Sequence, residues 1–532
     1  VQAERWIGDP KKKAQSQAKA GSAKCLSATN SNELTINNVR AYIETNGTMW
    51  NKELAEYEVP KGSGKSSMFA AALWIGGLDD NNQLKLAAVR FRQVGDDYWT
   101  GPLSVDGLAQ IAQEDCAAWD KLFKMTRAEV DEHINTYNTH NHVVPNPSLA
   151  IRNWPAHGDY DNKKQSFYLA PFKDVNGNYE YDPENGDYPY YDIDNELCPW
   201  TEANKSRAAH GLLPIPYEQE RVSEFPTYAN SIGIDGMVYA DHVLKGDETL
   251  FWIFNDKGNA HTETGGAAIG LEIRGQAFAF QTNDDLNNMT FYSYEIINRS
   301  TTNLNQTFFS QWVDPDLGYS HDDYVGCDVA RGLGYCYNGL PIDGAGLAQH
   351  YGANPPAVGV DFFQGPYIDP DYMVDDSTGE MVGRDNPHFD INKAGVVGTV
   401  TNKLYCDQFL KSNFPNDQFA INGVNFGDSI ANNERFGMRR FVFHNNDDSN
   451  RGDPRKATEY YQMLKGIWKD GQRMTYGALA HPDYGGVVGP ECDFMFPGTS
   501  DPCNWGIEDP AQRDVFNYQD YGGSRGWVEE TV

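Results

Sequence analysis

The stretch SSMFAAALWIGGLDDNNQLKLAAVRFRQ (66–93) decides the fold class. Two apolar runs flank a Gly-Gly-Leu-Asp-Asp-Asn-Asn segment, and such residues tolerate the tight and left-handed backbone of a turn. The reading is an antiparallel hairpin. The same texture recurs in QAFAFQTNDDLNNMTFYSYEIINRST (276–301), where FYSYEIINR alternates with period two. TFFSQWVDPDLG (307–318) follows as a further strand and turn. The expectation is a mainly β protein with β-sandwich-like domains of antiparallel strands, long ordered loops and one or two short helices. A helix is predicted over 106–136, where Ile111, Cys116, Trp119, Leu122, Phe123 and Val130 recur at helical intervals, and a shorter one over 455–466.

Outward from the hairpin, composition narrows the class. The chain has 532 residues, with 75 Asp+Glu against 43 Lys+Arg and a formal net charge of −32. Nucleic-acid binding needs clustered cations and is excluded. Runs of about 18 apolar residues are absent, so no transmembrane helix is expected. The 30 Tyr, 26 Phe and 12 Trp exclude an acidic disordered chain. Residues 1–24 carry Arg5 and five Lys against Glu4 and Asp9, so this low-complexity stretch is basic while the rest is acidic. The expected organisation is a flexible or extended segment at 1–33, a β-rich region at 34–136, a loop-rich region at 137–250 and a β-rich region with long insertions at 251–532.

Cys25, Cys116, Cys198, Cys327, Cys336, Cys406, Cys492 and Cys503 form an even set without a CxxC pair. Disulfides in an oxidising, extracytoplasmic setting are expected, with Cys327–Cys336 and Cys492–Cys503 close enough in sequence to close short loops. No charged-then-apolar leader opens the chain, so the expectation is an extracellular or cell-surface protein whose signal peptide has been removed.

The strongest chemical signal is Asp174-Val-Asn176-Gly-Asn178-Tyr-Glu180-Tyr-Asp182-Pro-Glu-Asn-Gly-Asp187. Oxygen ligands at alternating positions fold a loop around a hard cation such as Ca²⁺, which takes six to eight oxygens. Asp174, Asn176, Asn178 and Asp182 occupy the first, third, fifth and ninth places, Glu180 is a further candidate ligand, and Glu184 or Asp187 closes the shell. A second cluster, Asp314, Asp316, Asp322, Asp323 and Asp328, brings five carboxylates onto one turn, where they repel one another unless a cation or solvent intervenes. Ca²⁺ is expected there too. Asp192/Asp194 and Asp447/Asp448 read as solvated turns.

Other motifs carry less. Gly62-Ser-Gly-Lys-Ser66 imitates a phosphate loop, but Val59 stands where its first glycine belongs. Gly522-Gly-Ser-Arg-Gly526 imitates a nucleophile elbow with almost no chain left for the acid and His. His140 and His142 lack a third spaced ligand. His157, His261 and His321 each lie beside acids, a common pairing in so acidic a chain. No catalytic residue is assigned.

Several segments in order, among them NNVRAYIETNGTMW (37–50), IRNWPAHGD (151–159), YLAPFKDVNGNYEYDPENGDYP (168–189), FWIFNDKGNAHTETGGAAIGLEI (251–273) and YGANPPAVGVDFFQGP (351–366), resemble large secreted proteins of Bacteroidota exported by the type IX secretion system. The resemblance implies an extracellular or surface-anchored β-rich protein that meets the secretion machinery during export. In that family the first loop usually has Asp-Gly where this chain has Asn178-Tyr179. The expected function is a non-enzymatic surface or structural protein, such as an adhesin, filament or envelope-layer component, partnered by copies of itself, other surface proteins or glycans. The alternatives are a secreted hydrolase and a carbohydrate-binding protein acting on glycans.

Overall fold

The computed structural model describes residues 24–51, 56–90, 95–178, 180–191, 243–344, 346–366, 372–375, 377–379, 381–383, 422–423, 435–485, 488–501, 503–513 and 515–531. Residues 1–23 of the basic segment, Asp192, Asp194, Cys198 and Cys406 lie outside this set.

The 66–93 hairpin forms. β1 (Ser31–Leu34), β2 (Arg40–Glu44), β3 (Tyr57–Glu58) and β4 (Ser66–Met68) make an antiparallel sheet. β5 (Ala70–Leu78) then pairs with β6 (Leu84–Ala87), with Leu78 opposite Leu84 across the Asp-Asn turn. A second sheet holds β7 (Trp99–Thr100), β8 (Phe123–Thr126), β11 (Glu248–Asn255), β12 (Leu271–Ala279) and β13 (Phe291–Asn298). Between them in sequence, β9 (Phe172–Lys173) and β10 (Tyr188–Pro189) pair as a short ribbon. β14 (Asn305–Asp314) returns to the far side of β5.

β11 explains why its sequence is an unbroken apolar run. Leu250, Trp252 and Phe254 enter the main core with Ile43, Trp74 and Ile273. Phe251 and Ile253, on the opposite face, enter a second core with Met125, Val130, Ile151 and Trp154. A strand covered on both faces has no polar alternation. Each large apolar side chain buried this way contributes about 1.5–3 kcal/mol. Residues from the 34–136 and 251–532 regions share the main core, since Trp74 stacks on Trp312 at 6.0 Å and meets Tyr460 edge-on at 4.7 Å.

The helix predicted over 106–136 is broken. α1 (Gln113–Ala118) stops, β8 pairs with β11, and α2 (Arg127–Thr139) restarts. Thr126 caps α2 in a reciprocal pair with Glu129, which fixes the restart. Strand pairing overrides helical periodicity between them. Two single-turn helices follow, α3 (Leu149–Arg152) and α4 (Tyr160–Lys163), and the shorter predicted helix appears as α5 (Ala457–Leu464).

Neither predicted local disulfide forms. Cys25 bonds Cys116, closing a separation of 91 residues, and Cys503 is also disulfide-bonded. Cys327, Cys336 and Cys492 are buried free thiols. In the hairpin of β15 (Asp323–Asp328) and β16 (Leu333–Asn338), Cys327 faces Gly334 while Cys336 faces Val325. Diagonal neighbours lie about 7–8 Å apart, beyond the reach of an S–S bond. Cys492 stands opposite Ile507, four positions past Cys503.

Candidate functional site

The first predicted loop folds around its own oxygens. Asp174 Oδ1 accepts the Gly177 and Asn178 amide protons at 2.7 and 3.3 Å, and Asn176 Oδ1 accepts the Asn178 amide at 3.0 Å. Asn176 and Asn178 donate side-chain N–H to Asp182 at 3.0 and 3.1 Å. The fully buried Asp187 accepts from Val175 and Asp182 amides at 2.8 and 2.9 Å. Burial, and then the neighbouring Asp182 carboxylate, pushes Asp187 up to about 7. Burial also works against the Asp182 charge, but donors led by Asn185 hold its carboxyl below the usual range. Asn176, Asn178, Asp182 and Asp187 are therefore brought together, Asp174 orders the start of the loop, and Glu180 stays exposed.

The second cluster is more unusual chemically. Asp323 Oδ2 accepts the Leu317 amide at 2.9 Å, and Asp322 Oδ2 accepts the Gly344 amide at 3.0 Å. Their Oδ1 atoms are both buried without a hydrogen-bond partner. Burial pushes Asp323 up to about 8, and the charges of Asp316, Asp322 and Asp343 add to the rise. Asp343, fully buried on β17 (Ile342–Asp343), is the member sequence reasoning missed. It accepts from the Tyr319 amide at 2.9 Å and from the Tyr351 amide, so one carboxylate ties the 314–323 turn to the next hairpin. Nothing in the sequence around Asp343, an isolated acid well downstream of the cluster, announces this.

The buried Glu529, near the chain's last described residues, accepts the Val325 amide at 2.6 Å and is pushed up to about 7 by burial. Asp323, Asp316, Glu529 and Asp314 surround the Cys336 thiol, which burial and these charges keep protonated. Asp328 does not join. It ends β15 roughly 17 Å along the strand from Asp323, and it pairs with Arg331.

Orphaned carboxylate oxygens among like charges suit a hard cation, because a divalent ion supplies both the missing partner and the missing countercharge. No three donor atoms of this cluster lie within 4.8 Å of one another; among the described residues that condition is met by Asp470, His481 and Asp483. That trio does not fit a metal. His481 Nδ1 accepts the Asp483 amide at 3.1 Å, which leaves the ring proton on Nε2, donating to Asp470 at 2.8 Å. Neither nitrogen keeps a free lone pair. Gln472 completes the network by donating to Asp470 and Asp483 at 3.3 and 2.9 Å.

No family model, curated protein or solved structure matches the chain. The site stands on its own chemistry.

The remaining motifs take structural places. The Gly62–Ser66 loop turns its Gly64 amide onto Glu58, an internal carboxylate where a phosphate loop would hold its ligand. His140 caps the end of α2 and His142 packs on Tyr137 at 5.0 Å. His157 sits among Phe167, Tyr168 and Phe172, and His321 stacks on Tyr319 at 5.0 Å. One pair of carboxyls is pushed in opposite directions: burial and Asp493 raise Glu508, while Asp493 is held low, against its own burial, by Arg439 and Arg440. Such splitting suits acid–base work. Here, however, Asp493 is fully buried and gripped by Arg439, Arg440 and Arg473, the arrangement of a structural ion cluster.

Proposed function

We propose that this chain is a non-enzymatic extracellular surface or structural protein, an adhesin, filament or envelope-layer component, braced by calcium and disulfides. The observation that carries the reading is the pair of buried, unpartnered oxygens of Asp322 and Asp323 beside Asp316 and Asp343. A Ca²⁺ ion there would pin the 314–323 turn to the 342–351 hairpin. The 174–187 loop, with Asn176, Asn178, Asp182 and Asp187 converging, would take a second ion. The Cys25–Cys116 bond supports an oxidising compartment, since such cross-links persist outside the cytosol. The resemblance to proteins exported by the type IX system adds cell-surface delivery, with copies of the chain, other surface proteins or glycans as partners.

Calorimetry with Ca²⁺ and a metal-content measurement on protein purified without chelator test the calcium. Retention of no divalent ion, together with no heat of binding, overturns it. Electron microscopy of the native assembly separates filament or layer from free monomer. The alternative, a secreted hydrolase or carbohydrate-binding protein, predicts turnover or retention on a glycan panel that the structural reading does not.

A further inference from the structure

The side chain of His261 is fully enclosed, in the connection between β11 and β12. Its Nδ1 lies 2.7 Å from the Leu86 carbonyl oxygen on β6, and its Nε2 lies 2.6 Å from the Asp256 carbonyl oxygen just past β11. Carbonyl oxygens only accept. A neutral imidazole offers one N–H and one lone pair, so it can satisfy one of these contacts and must oppose lone pair to lone pair at the other. Only a ring with both protons fits both.

The surroundings supply the countercharge. Asp97 Oδ2 lies 3.6 Å from Nδ1 and Asp256 Oδ2 lies 3.8 Å from Nε2. Each carboxylate faces donors. Asp97 accepts from the Ala88 and Glu263 amides at 3.2 and 3.1 Å and from the Thr264 hydroxyl at 2.6 Å. Asp256 accepts from the Ile269, Gly270 and Leu271 amides at 2.5, 2.8 and 2.7 Å. Their oxygens face donors rather than acceptors; burial raises the Asp97 carboxyl, and the nearby imidazole opposes that rise. The next acid along, Glu263, is committed to Arg90 at 3.3 Å and to the Tyr460 hydroxyl at 2.9 Å. From β7, Trp99 presents its ring at 5.9 Å.

We propose that His261 is a buried imidazolium that works as a proton-dependent clasp, joining β6, the segment before β7 and the β11–β12 connection. Loss of either ring proton turns one donation into a repulsion and releases the joint.

The test uses the full chain labelled with ¹⁵N-histidine, with His261 assigned by comparison with His261→Gln. The expected result is two protonated ring nitrogens on His261 at neutral pH. On raising the pH, loss of one ring proton should coincide with loss of hydrogen-exchange protection at Leu86 and at Ile269–Leu271. One nitrogen bearing a lone pair at neutral pH overturns the proposal, and so does unchanged protection once the proton is gone. If the Gln variant does not fold, exchange measured on the unsubstituted chain across the same pH series still decides.

Discussion

Asp323 accepts the Leu317 amide on one carboxylate oxygen at 2.9 Å and leaves the other buried and unpartnered, as is the Oδ1 of its neighbour Asp322. In the metal-free protein this arrangement favours a proton on Asp323; with a divalent ion present it favours the charge. The same residue therefore has opposite effects in the two states.

Asp323→Asn should raise the melting temperature in EDTA and lower it in saturating Ca²⁺. For the unsubstituted chain, Ca²⁺ at about a hundredfold excess over its Kd should add about 2.7 kcal/mol of stability. Differential scanning calorimetry under both conditions checks this. The same sign for the variant in both would sink the cation reading of the centre.

The pH dependence of the metal-free protein has a definite sign. Asp187, Asp323 and Glu529 are raised to about 7, about 8 and about 7 from ordinary values of 3.8, 3.8 and 4.5. A group raised on folding contributes stability that is full below its unfolded value and lost as pH climbs through its folded value. In EDTA, stability should therefore fall from about pH 4 to about pH 8 on account of these acids. In Ca²⁺ that slope should flatten, because ionised ligands are then the bound form. Urea unfolding at a series of pH values reads both.

Glu272 behaves in the other direction. It is fully buried, and despite the burial Arg299 and Arg274 hold it down to about 2, with contacts at 2.9 and 3.0 Å. Its contribution is present above 4.5 and is lost as pH falls through about 2. Glu272→Gln should cost about 3–5 kcal/mol, since it removes the buried charge that Arg274 and Arg299 share. Urea unfolding at neutral pH measures it, and a loss well under 1 kcal/mol would contradict the pairing.

Removing the Cys25–Cys116 bond by a double Ser substitution should cost about 2–4 kcal/mol, because the bond closes a loop of 91 residues. Comparing chemical unfolding of the two proteins under non-reducing conditions tests this.

Thiol mapping distinguishes the observed pairing from the one predicted by sequence spacing. Cys327, Cys336 and Cys492 are buried thiols with proton affinity raised by burial, so they should resist alkylation in the folded protein and react in denaturant without reductant. Finding Cys327 linked to Cys336 by peptide mapping would reverse the assignment.

The β-rich class was legible at 66–93 and 276–301 because turn chemistry and period-two alternation are local. The break at Phe123–Thr126 was not, because β8 exists only through its pairing with β11, more than 120 residues downstream. Likewise Asp343 carries no local mark, and it enters the acidic centre only because its two-residue strand folds back under Tyr319 and Tyr351. The thiol pairing failed for a related reason: register, set by the whole hairpin, decides which side chains face each other.

Local chemistry alone therefore determined that this chain is a folded, antiparallel β protein with two oxygen-rich loops, since propensity, turns and charge are properties of neighbouring residues. Which carboxylates meet, which cysteines bond, and that His261 lies between two carbonyls were decided only by tertiary structure. Those relationships join residues far apart in sequence, and their energies arise when burial removes water from between them.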